Sequence, residues 1–190
     1  MRRFAVLLLL VLPMGFGDVS AIAADDATCL PLTVTNPDGN YIVPGARGAI
    51  VYQRAEGRDL MLDAWAPPAT AGGRGGSPVP PAVVVIHGGG FTAGSRVAFV
   101  GQFLELLTEA GYPWLSVDYR LNGPLRVADA ADDVRAAVAF ARCHAGDLGI
   151  DPDRIVLLGE DAGAALAVSV GERGEIRERR SALERSGSRR

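Results

Sequence analysis

The sequence predicts an α/β domain built on a mostly parallel sheet. Three short runs of apolar, largely β-branched residues indicate strands buried on both faces, at 82–86, 114–117 and 155–158. Between these runs, apolar residues recur at helical spacing, so strand and helix alternate along the chain. Because strands joined in this way form right-handed crossovers, the three runs belong to one sheet with helices packed against it.

An antiparallel hairpin is predicted at the N-terminal side of the first parallel strand. Apolar and polar residues alternate in Ala49–Ala55 and in Asp59–Trp65, and Glu56-Gly57-Arg58 lies between them as a turn. The preceding residues, 24–48, are rich in turn formers and indicate an extended lead-in. A Pro- and Gly-rich loop over residues 67–81 then connects the hairpin to the parallel strands.

Two helices are predicted between the three parallel strands. The first follows from the helical spacing of apolar residues over 100–107, and Gly111 ends it. The second spans 127–141 and carries three aspartates near its N-terminal end, Asp129, Asp132 and Asp133. The helix macrodipole favours carboxylates at that end.

The first residues have the pattern of a secretory signal peptide. Arg2 and Arg3 precede an apolar run over residues 4–12, and Ala21-Ile22-Ala23 supplies the small residues that signal peptidase accepts. The apolar run is shorter than the ~20 residues that a bilayer span needs. We therefore expect a secreted or periplasmic protein that is cleaved near Ala23 and has no membrane segment in its mature form.

The chain contains two cysteines, Cys29 and Cys143. An oxidising compartment would permit them to form a disulfide. The alternative is two unpaired, buried thiols, and the sequence leaves both open because it does not show whether the two Cα atoms come within bonding distance.

Charge and composition exclude several classes of function. All 19 basic residues are arginine, and the absence of lysine excludes a P-loop phosphate site. The formal net charge is -3. Residues 24–170 are acidic and contain no basic patch with interleaved aromatic residues, so no nucleic-acid partner is expected. Neither a metal nor a cofactor is expected.

Two glycine-rich corners follow two of the predicted strands. In His87-Gly88-Gly89-Gly90-Phe91, three glycines let main-chain N–H groups approach a ligand closely. In Gly159-Glu160-Asp161-Ala162-Gly163, glycines and small neighbours permit a sharp strand-to-helix turn that raises one side chain above the sheet. A dinucleotide-binding fold, with glycines after one strand and Asp118 after the next, is an alternative. The preceding hairpin and the second corner argue against it.

With both corners in this order, the chain resembles the α/β-hydrolase superfamily, and within it the esterases and lipases with an HGGG loop. Asp118-Tyr119-Arg120-Leu121 and residues 149–155 are also similar to that family. The likeness is closest to bacterial carboxylesterases, including feruloyl and acetylxylan esterase-like proteins, and it covers residues 49–170. It implies an α/β-hydrolase fold, a carboxylesterase-like hydrolase activity and a small-molecule ester or carbohydrate-ester substrate.

The resemblance also implies roles for individual residues. The main-chain N–H groups of Gly89, Gly90 and Ala162 are expected to form an oxyanion hole, in which one donor is worth ~3 kcal/mol in related chemistry. His87 is expected to support the loop rather than to transfer protons. Apart from the resemblance, the position of His144 at a helix C-terminus predicts a partly exposed capping role. The remaining structural positions of the two corners are Gly88, Gly159 and Gly163.

The pattern breaks at position 161, where the family has a serine nucleophile and this chain has Asp161. A carboxylate that attacks an ester carbonyl gives a mixed anhydride, so ordinary esterase turnover is not expected. The superfamily's catalytic histidine follows the nucleophile, but no histidine follows Asp161 in this sequence. Three interpretations stay open: a catalytically impaired hydrolase, an Asp-nucleophile hydrolase with its histidine from His144 or a second chain, and a non-catalytic binding protein. Haloalkane dehalogenases and epoxide hydrolases exemplify the second.

Residues 171–190 abandon the composition of the domain and are predicted to form a charged, disordered tail. We expect the C-terminal strands and helices of the fold to be missing. A reading frame lost near Val170 is the hypothesis for the tail, and reading the other frames of the DNA tests it. In the family's sheet order the strand 155–158 lies beside 82–86, and its other edge would be bare. Since an apolar edge strand favours aggregation, poor solubility is expected.

Overall fold

The computed structural model describes residues 30–36, 43–68 and 80–171. They form a six-stranded sheet in the order β1-β2-β3-β5-β4-β6, with helices on both faces. The strands are β1 (Val34–Asn36), β2 (Arg47–Ala55), β3 (Arg58–Trp65), β4 (Ala82–Ile86), β5 (Trp114–Val117) and β6 (Ile155–Gly159). The helices are α1 (Gly101–Glu109), α2 (Val127–Cys143), α3 (Ala145–Leu148) and α4, which begins at residue 162 and is described to residue 171. A short 3₁₀ helix, Pro124–Arg126, precedes α2.

The predicted hairpin and the three predicted parallel strands meet in one mixed sheet. β2 and β3 pair around Glu56 and Gly57, whose φ angles of 52° and 73° are both positive, as a two-residue hairpin loop requires. β4 pairs in parallel with β5 and β6, whereas β3 joins β5 antiparallel. The α/β class is confirmed. β1, which pairs antiparallel with β2 at the sheet edge, lies inside the predicted lead-in.

β4 lies at the centre of the parallel part and is buried on both faces. Val84 and Ile86 join the core cluster that contains α2, and Val83 and Val85 join the cluster that contains Leu104 of α1. Alternate side chains of a strand point to opposite faces. A continuous β-branched run is therefore what a strand covered by helices on both sides requires.

The order of the strands places both glycine corners side by side at the carboxyl ends of the parallel strands. The chain leaves β4 for β5 on one side and then crosses to β6 on the other side. Such a switch point opens a crevice at the carboxyl ends of the strands, where α/β proteins bind ligands. Ile86 and Gly159, the last residues of β4 and β6, are paired in register, so the loops that follow them start side by side.

β6 lies at the edge of the described sheet. Within the described residues it pairs with β4 and with no other strand. Val156 is 44% exposed, and Val168 on the following helix α4 is 57% exposed. For the described part of the chain, this arrangement matches the bare apolar edge predicted from the sequence.

Several predictions concern residues outside the described ranges. The signal peptide, residues 1–23, and all but the first residue of the predicted tail lie there. Gly171, that first residue, is still helical, so α4 crosses the boundary predicted at residue 170. Cys143 is disulfide-bonded, and the other cysteine of the chain, Cys29, lies outside the described residues. Of the helices in the described ranges, none combines the length and the apolar character that crossing a membrane demands.

Candidate active site

The second glycine corner is a sharp turn that holds Asp161 between β6 and α4. Asp161 has a φ of 51°, a left-handed conformation that is uncommon outside glycine. A Cβ on Gly159 would lie 2.2 Å from the carbonyl carbon of Gly163, and a Cβ on Gly163 would lie 2.1 Å from the carbonyl oxygen of Ile86. Because both distances are too short for any non-bonded contact, the turn closes against β4 only with glycine at these positions.

The first glycine corner folds back on itself and faces the second. The N–H groups of Thr92 and Ala93 both donate to the carbonyl oxygen of Gly89, each over 3.1 Å. Gly89 has a φ of 108°, and a Cβ there would lie 2.3 Å from the carbonyl oxygen of Ala93. A Cβ on Gly88 would lie 3.2 Å from the Cβ of Asp161. The two corners are therefore in direct contact.

The corners meet at the Asp161 carboxylate. Its Oδ2 accepts hydrogen bonds from the N–H groups of Gly89, over 3.1 Å, and Gly90, over 3.0 Å. The pKa of the Asp161 carboxyl is held below its ordinary value by hydrogen bonds from the N–H groups of Gly90, which has the largest effect, Gly89 and Ala162. The group is therefore ionised at neutral pH. We name these three N–H groups the cradle. The structure thus brings the predicted oxyanion-hole residues together around the predicted nucleophile position, and their catalytic roles stay predictions.

His87 is enclosed behind the first corner. Its side chain is 1% exposed, and its ring stacks on Tyr119 with centroids 4.2 Å apart. Nδ1 lies 2.7 Å from the carbonyl oxygen of Gly88, and since a carbonyl only accepts, Nδ1 carries the hydrogen. Burial lowers the pKa of His87, so the ring is neutral at neutral pH. These contacts fit the supporting role predicted for His87.

His144 lies far from Asp161. It is the residue after α2, and its Nε2 lies 2.9 Å from the carbonyl oxygen of Leu30 in the lead-in. α2 carries the chain from the carboxyl end of β5 back to the amino end of β6. Since the five residues of β6 span roughly 16 Å, His144 lies at the amino ends of the parallel strands and Asp161 lies at their carboxyl ends. The structure does not bring these two residues together.

Asp118, the first residue of the Asp118-Tyr119-Arg120 sequence after β5, anchors the loop that follows the first corner. Its carboxylate accepts hydrogen bonds from the main-chain N–H of Arg96 over 2.7 Å and from Nη1 of the same residue over 2.9 Å. Arg96 Nε also bonds to Asp63, which is 2% exposed, over 2.8 Å. The family likeness of this sequence predicts no role for it, and the structure supplies one.

Arg120 anchors the same region to α2. Its Nη2 lies 2.8 Å from Oδ1 of Asp133, which is fully buried, and its main-chain N–H bonds to Oδ2 of Asp133 over 2.9 Å. Asp133 is therefore held by a buried ion pair, whereas the sequence indicated only a favourable interaction with the helix macrodipole. The usable signal in the sequence was its position on the apolar face of α2, between Ala130 and Ala137, because a buried carboxylate needs a paired cation.

The fold and the two corners define an α/β-hydrolase of the esterase and lipase type. The BD-FAE family model matches residues 72–187. Lipase 2 of Moraxella sp. (strain TA144) is 35% identical over 91 residues, which make up 48% of this chain and 21% of that protein. Ethyl acetate hydrolase of Pseudomonas putida is 35% identical over 86 residues, 45% of this chain and 27% of that protein. The apo form of Thermogutta terrifontis esterase 2 superposes with a TM-score of 0.54 at 32% identity, covering 65% of this chain and 45% of that one.

The chain belongs to the BD-FAE family, since the family model matches more than half of it. The predicted α/β-hydrolase fold and the likeness to HGGG esterases are confirmed. The chain spans less than half the length of each of these three relatives. Other structures of the Thermogutta esterase show it phosphorylated by paraoxon or bound to propionate.

Proposed function

We propose that the chain is an exported protein of the ester-hydrolase lineage in which ester hydrolysis is impaired. The observation that carries this proposal is the Asp161 carboxylate on the N–H groups of Gly89 and Gly90. An oxyanion hole accelerates a reaction because its donors bind the transition state more strongly than the ground state. When an anion of the protein already occupies those donors, this difference is lost.

Asp161 is also a poor nucleophile toward an ester. Its attack on a carbonyl would form a mixed anhydride instead of the stable acyl ester that serine forms. The hydrogen bonds that lower the pKa of Asp161 also make its carboxylate a weaker base, and therefore a weaker nucleophile. Oδ2 would have to leave the cradle before it could react.

The chain's two histidines, His87 and His144, offer no general base for the second step. A general base must lie within about 3 Å of the proton that it removes, directly or through one water. His87 is enclosed against Tyr119, and His144 lies at the amino ends of the parallel strands, opposite Asp161. An Asp-nucleophile hydrolase that uses His144 is therefore disfavoured.

Export and the class of ester are supported by sequence and family. The signal-peptide pattern of residues 1–23 supports a secreted or periplasmic protein. Membership of an esterase family supports a small-molecule ester as the ligand class of the lineage. The likeness to feruloyl and acetylxylan esterases favours a carbohydrate ester within that class. A binding protein that holds an ester oxygen in the cradle is disfavoured while Asp161 fills it.

Turnover and occupancy of the cradle are tested together on the purified chain. We compare wild type, Asp161→Ala and Asp153→Asn, the last a control at an exposed carboxylate in the turn before β6. No variant should hydrolyse p-nitrophenyl acetate above the uncatalysed rate. Propionate should shift the amide resonances of Gly89 and Gly90 in Asp161→Ala alone, because only there are the donors vacant.

Two outcomes contradict the proposal. One is turnover by wild type that Asp161→Ala abolishes and Asp153→Asn retains. The other is a covalent adduct on Asp161 after incubation with paraoxon or an ester, detected by peptide mass spectrometry. Either result would make Asp161 a working nucleophile.

A further inference from the structure

The carbonyl group of His87 lies where the two halves of the cradle meet. The Tyr119 hydroxyl donates a hydrogen bond to this carbonyl oxygen over 2.9 Å. On the other side, a Cβ added to Gly163 would lie 2.6 Å from the same oxygen, so the start of α4 is in contact with it. One half of the cradle, Gly89 and Gly90, follows His87 after a single residue, Gly88, and the other half, Ala162, precedes Gly163.

Tyr119 is held in a fixed position from both sides. It is 3% exposed, and its ring stacks on His87 with an interplanar angle of 13°. The carbonyl of Asp118 before it accepts a hydrogen bond from the Tyr52 hydroxyl over 2.6 Å. The N–H of Arg120 after it donates to the buried carboxylate of Asp133 over 2.9 Å. The hydroxyl of Tyr119 is thus a stationary donor.

A stationary donor on the His87 carbonyl fixes the orientation of the peptide from which the glycine corner departs. Gly89 and Gly90 have positive φ angles of 108° and 60°, and glycine has no side chain to restrict rotation. The carbonyls of the two peptides that carry these N–H groups accept hydrogen bonds from His87 Nδ1 and from the N–H groups of Thr92 and Ala93. The Tyr119 hydroxyl adds the hold on the peptide before them. Hydrogen bonding falls steeply when N–H groups are misaligned.

We propose that Tyr119 is a positioning residue, whose hydroxyl aligns the N–H groups of Gly89 and Gly90 with that of Ala162 through the carbonyl of His87. The inference rests on the proposed function in so far as it treats the cradle as the lineage's oxyanion site. It gives a physical role to the tyrosine of the Asp118-Tyr119-Arg120 sequence.

The test reads the cradle itself and requires no enzymatic activity. Tyr119→Phe removes the hydroxyl and keeps the stacked ring, whereas Tyr112→Phe alters a 40% exposed tyrosine before β5 and is the control. By carboxyl-detected NMR titration, Tyr119→Phe should raise the pKa of Asp161 toward its ordinary value and shift the Gly89 and Gly90 amide resonances. A change in stability alone would not move this local pKa. If Tyr119→Phe and Tyr112→Phe give the same Asp161 titration as wild type, the inference is wrong.

A second measurement decides the question if Tyr119→Phe fails to fold. Burial, and to a smaller extent the Asp161 charge, raise the pKa of Tyr119 to about 12. In protein labelled with fluorotyrosine, Asp161→Asn should therefore lower the pKa of Tyr119, and Asp153→Asn should not. An unchanged Tyr119 titration in Asp161→Asn would show that the hydroxyl and the cradle are uncoupled. Both measurements stay decisive even if wild type proves to hydrolyse esters.

Discussion

β4 and β6 carry the two corners of the candidate site, but their surroundings support them very differently. All five residues of β4 are buried between two neighbouring strands, whereas none of the five residues of β6 is buried to that degree. The loop after β4 is anchored by Arg96 and by the Tyr119 hydroxyl. The turn after β6 is tied to the loop after β4 through Asp161 and to β4 itself through the contact of Gly163 with Ile86. One corner is therefore fixed by its own surroundings, and the other depends on the first.

The largest expected effect comes from a matched truncation in the two strands. Ile86 in β4 is 1% exposed, and Ile155 in β6 is partly exposed. Ile86→Ala should lower the free energy of unfolding by about 2–5 kcal/mol, because it leaves a cavity that the packed core cannot close. Ile155→Ala removes the same atoms from a less packed site, so it should cost about half as much or less. Urea denaturation measures both values.

Equal losses in the two variants would break the comparison. They would mean that β6 is as well packed as β4, so that chain outside the described residues covers its outer side. An unchanged m-value in both variants is needed for this reading, because only then does the midpoint report stability.

A medium effect is expected at the outer edge of β6. Val156→Lys places a charge on an apolar edge strand, a device that blocks pairing between sheet edges. We expect a larger monomeric fraction by light scattering after size-exclusion chromatography, with a change in unfolding free energy of only about 0.5 kcal/mol. Val168→Lys on α4 is the control, since Val168 is 57% exposed but lies on a helix. If both lysines improve solubility equally, apolar exposure and not edge pairing causes the aggregation.

The sequence predicts those parts of the molecule that are determined by local signals. β4, β5 and β6 follow from apolar runs, and the two corners follow from glycines whose missing side chains the structure requires at Gly159 and Gly163. These signals are local, because the burial of a strand and the conformation of a turn restrict the residue types within that strand or turn. The edge strand β1 was missed, since three residues carry too short a pattern.

Contacts between distant residues could not be predicted in the same way. The pairing of Arg120 with Asp133 and the hydrogen bond from Tyr119 to His87 join elements far apart in sequence. A charged or hydroxyl side chain in an apolar segment indicates that a hydrogen-bonding partner is needed, but the sequence does not identify that partner. The Asp161 carboxylate lies between the two cases, because the two glycine corners predicted its place beside the N–H groups of Gly89, Gly90 and Ala162. The hydrogen bonds from Gly89 and Gly90 to Oδ2 are what the structure adds.

The smallest expected effect concerns this carboxylate and its dependence on pH. A carboxyl group whose pKa is lower in the folded than in the unfolded protein stabilises the fold at pH values above the unfolded pKa, about 3.9. This stabilisation disappears as the pH falls through the folded pKa. Because its hydrogen bonds hold the pKa of Asp161 below the ordinary value, Asp161→Asn should be less stable than wild type near neutral pH. The difference should shrink as the pH falls below about 4.

Urea denaturation from pH 7 to about pH 3, the range that brackets an ordinary carboxyl titration, checks this prediction. Asp153→Asn serves as the control for the loss of one negative charge. If Asp161→Asn is as stable as wild type at neutral pH, the carboxylate contributes nothing that an amide cannot. The dependent corner would then be held by the Gly163–Ile86 contact alone, and Asp161 would fill the cradle without stabilising it.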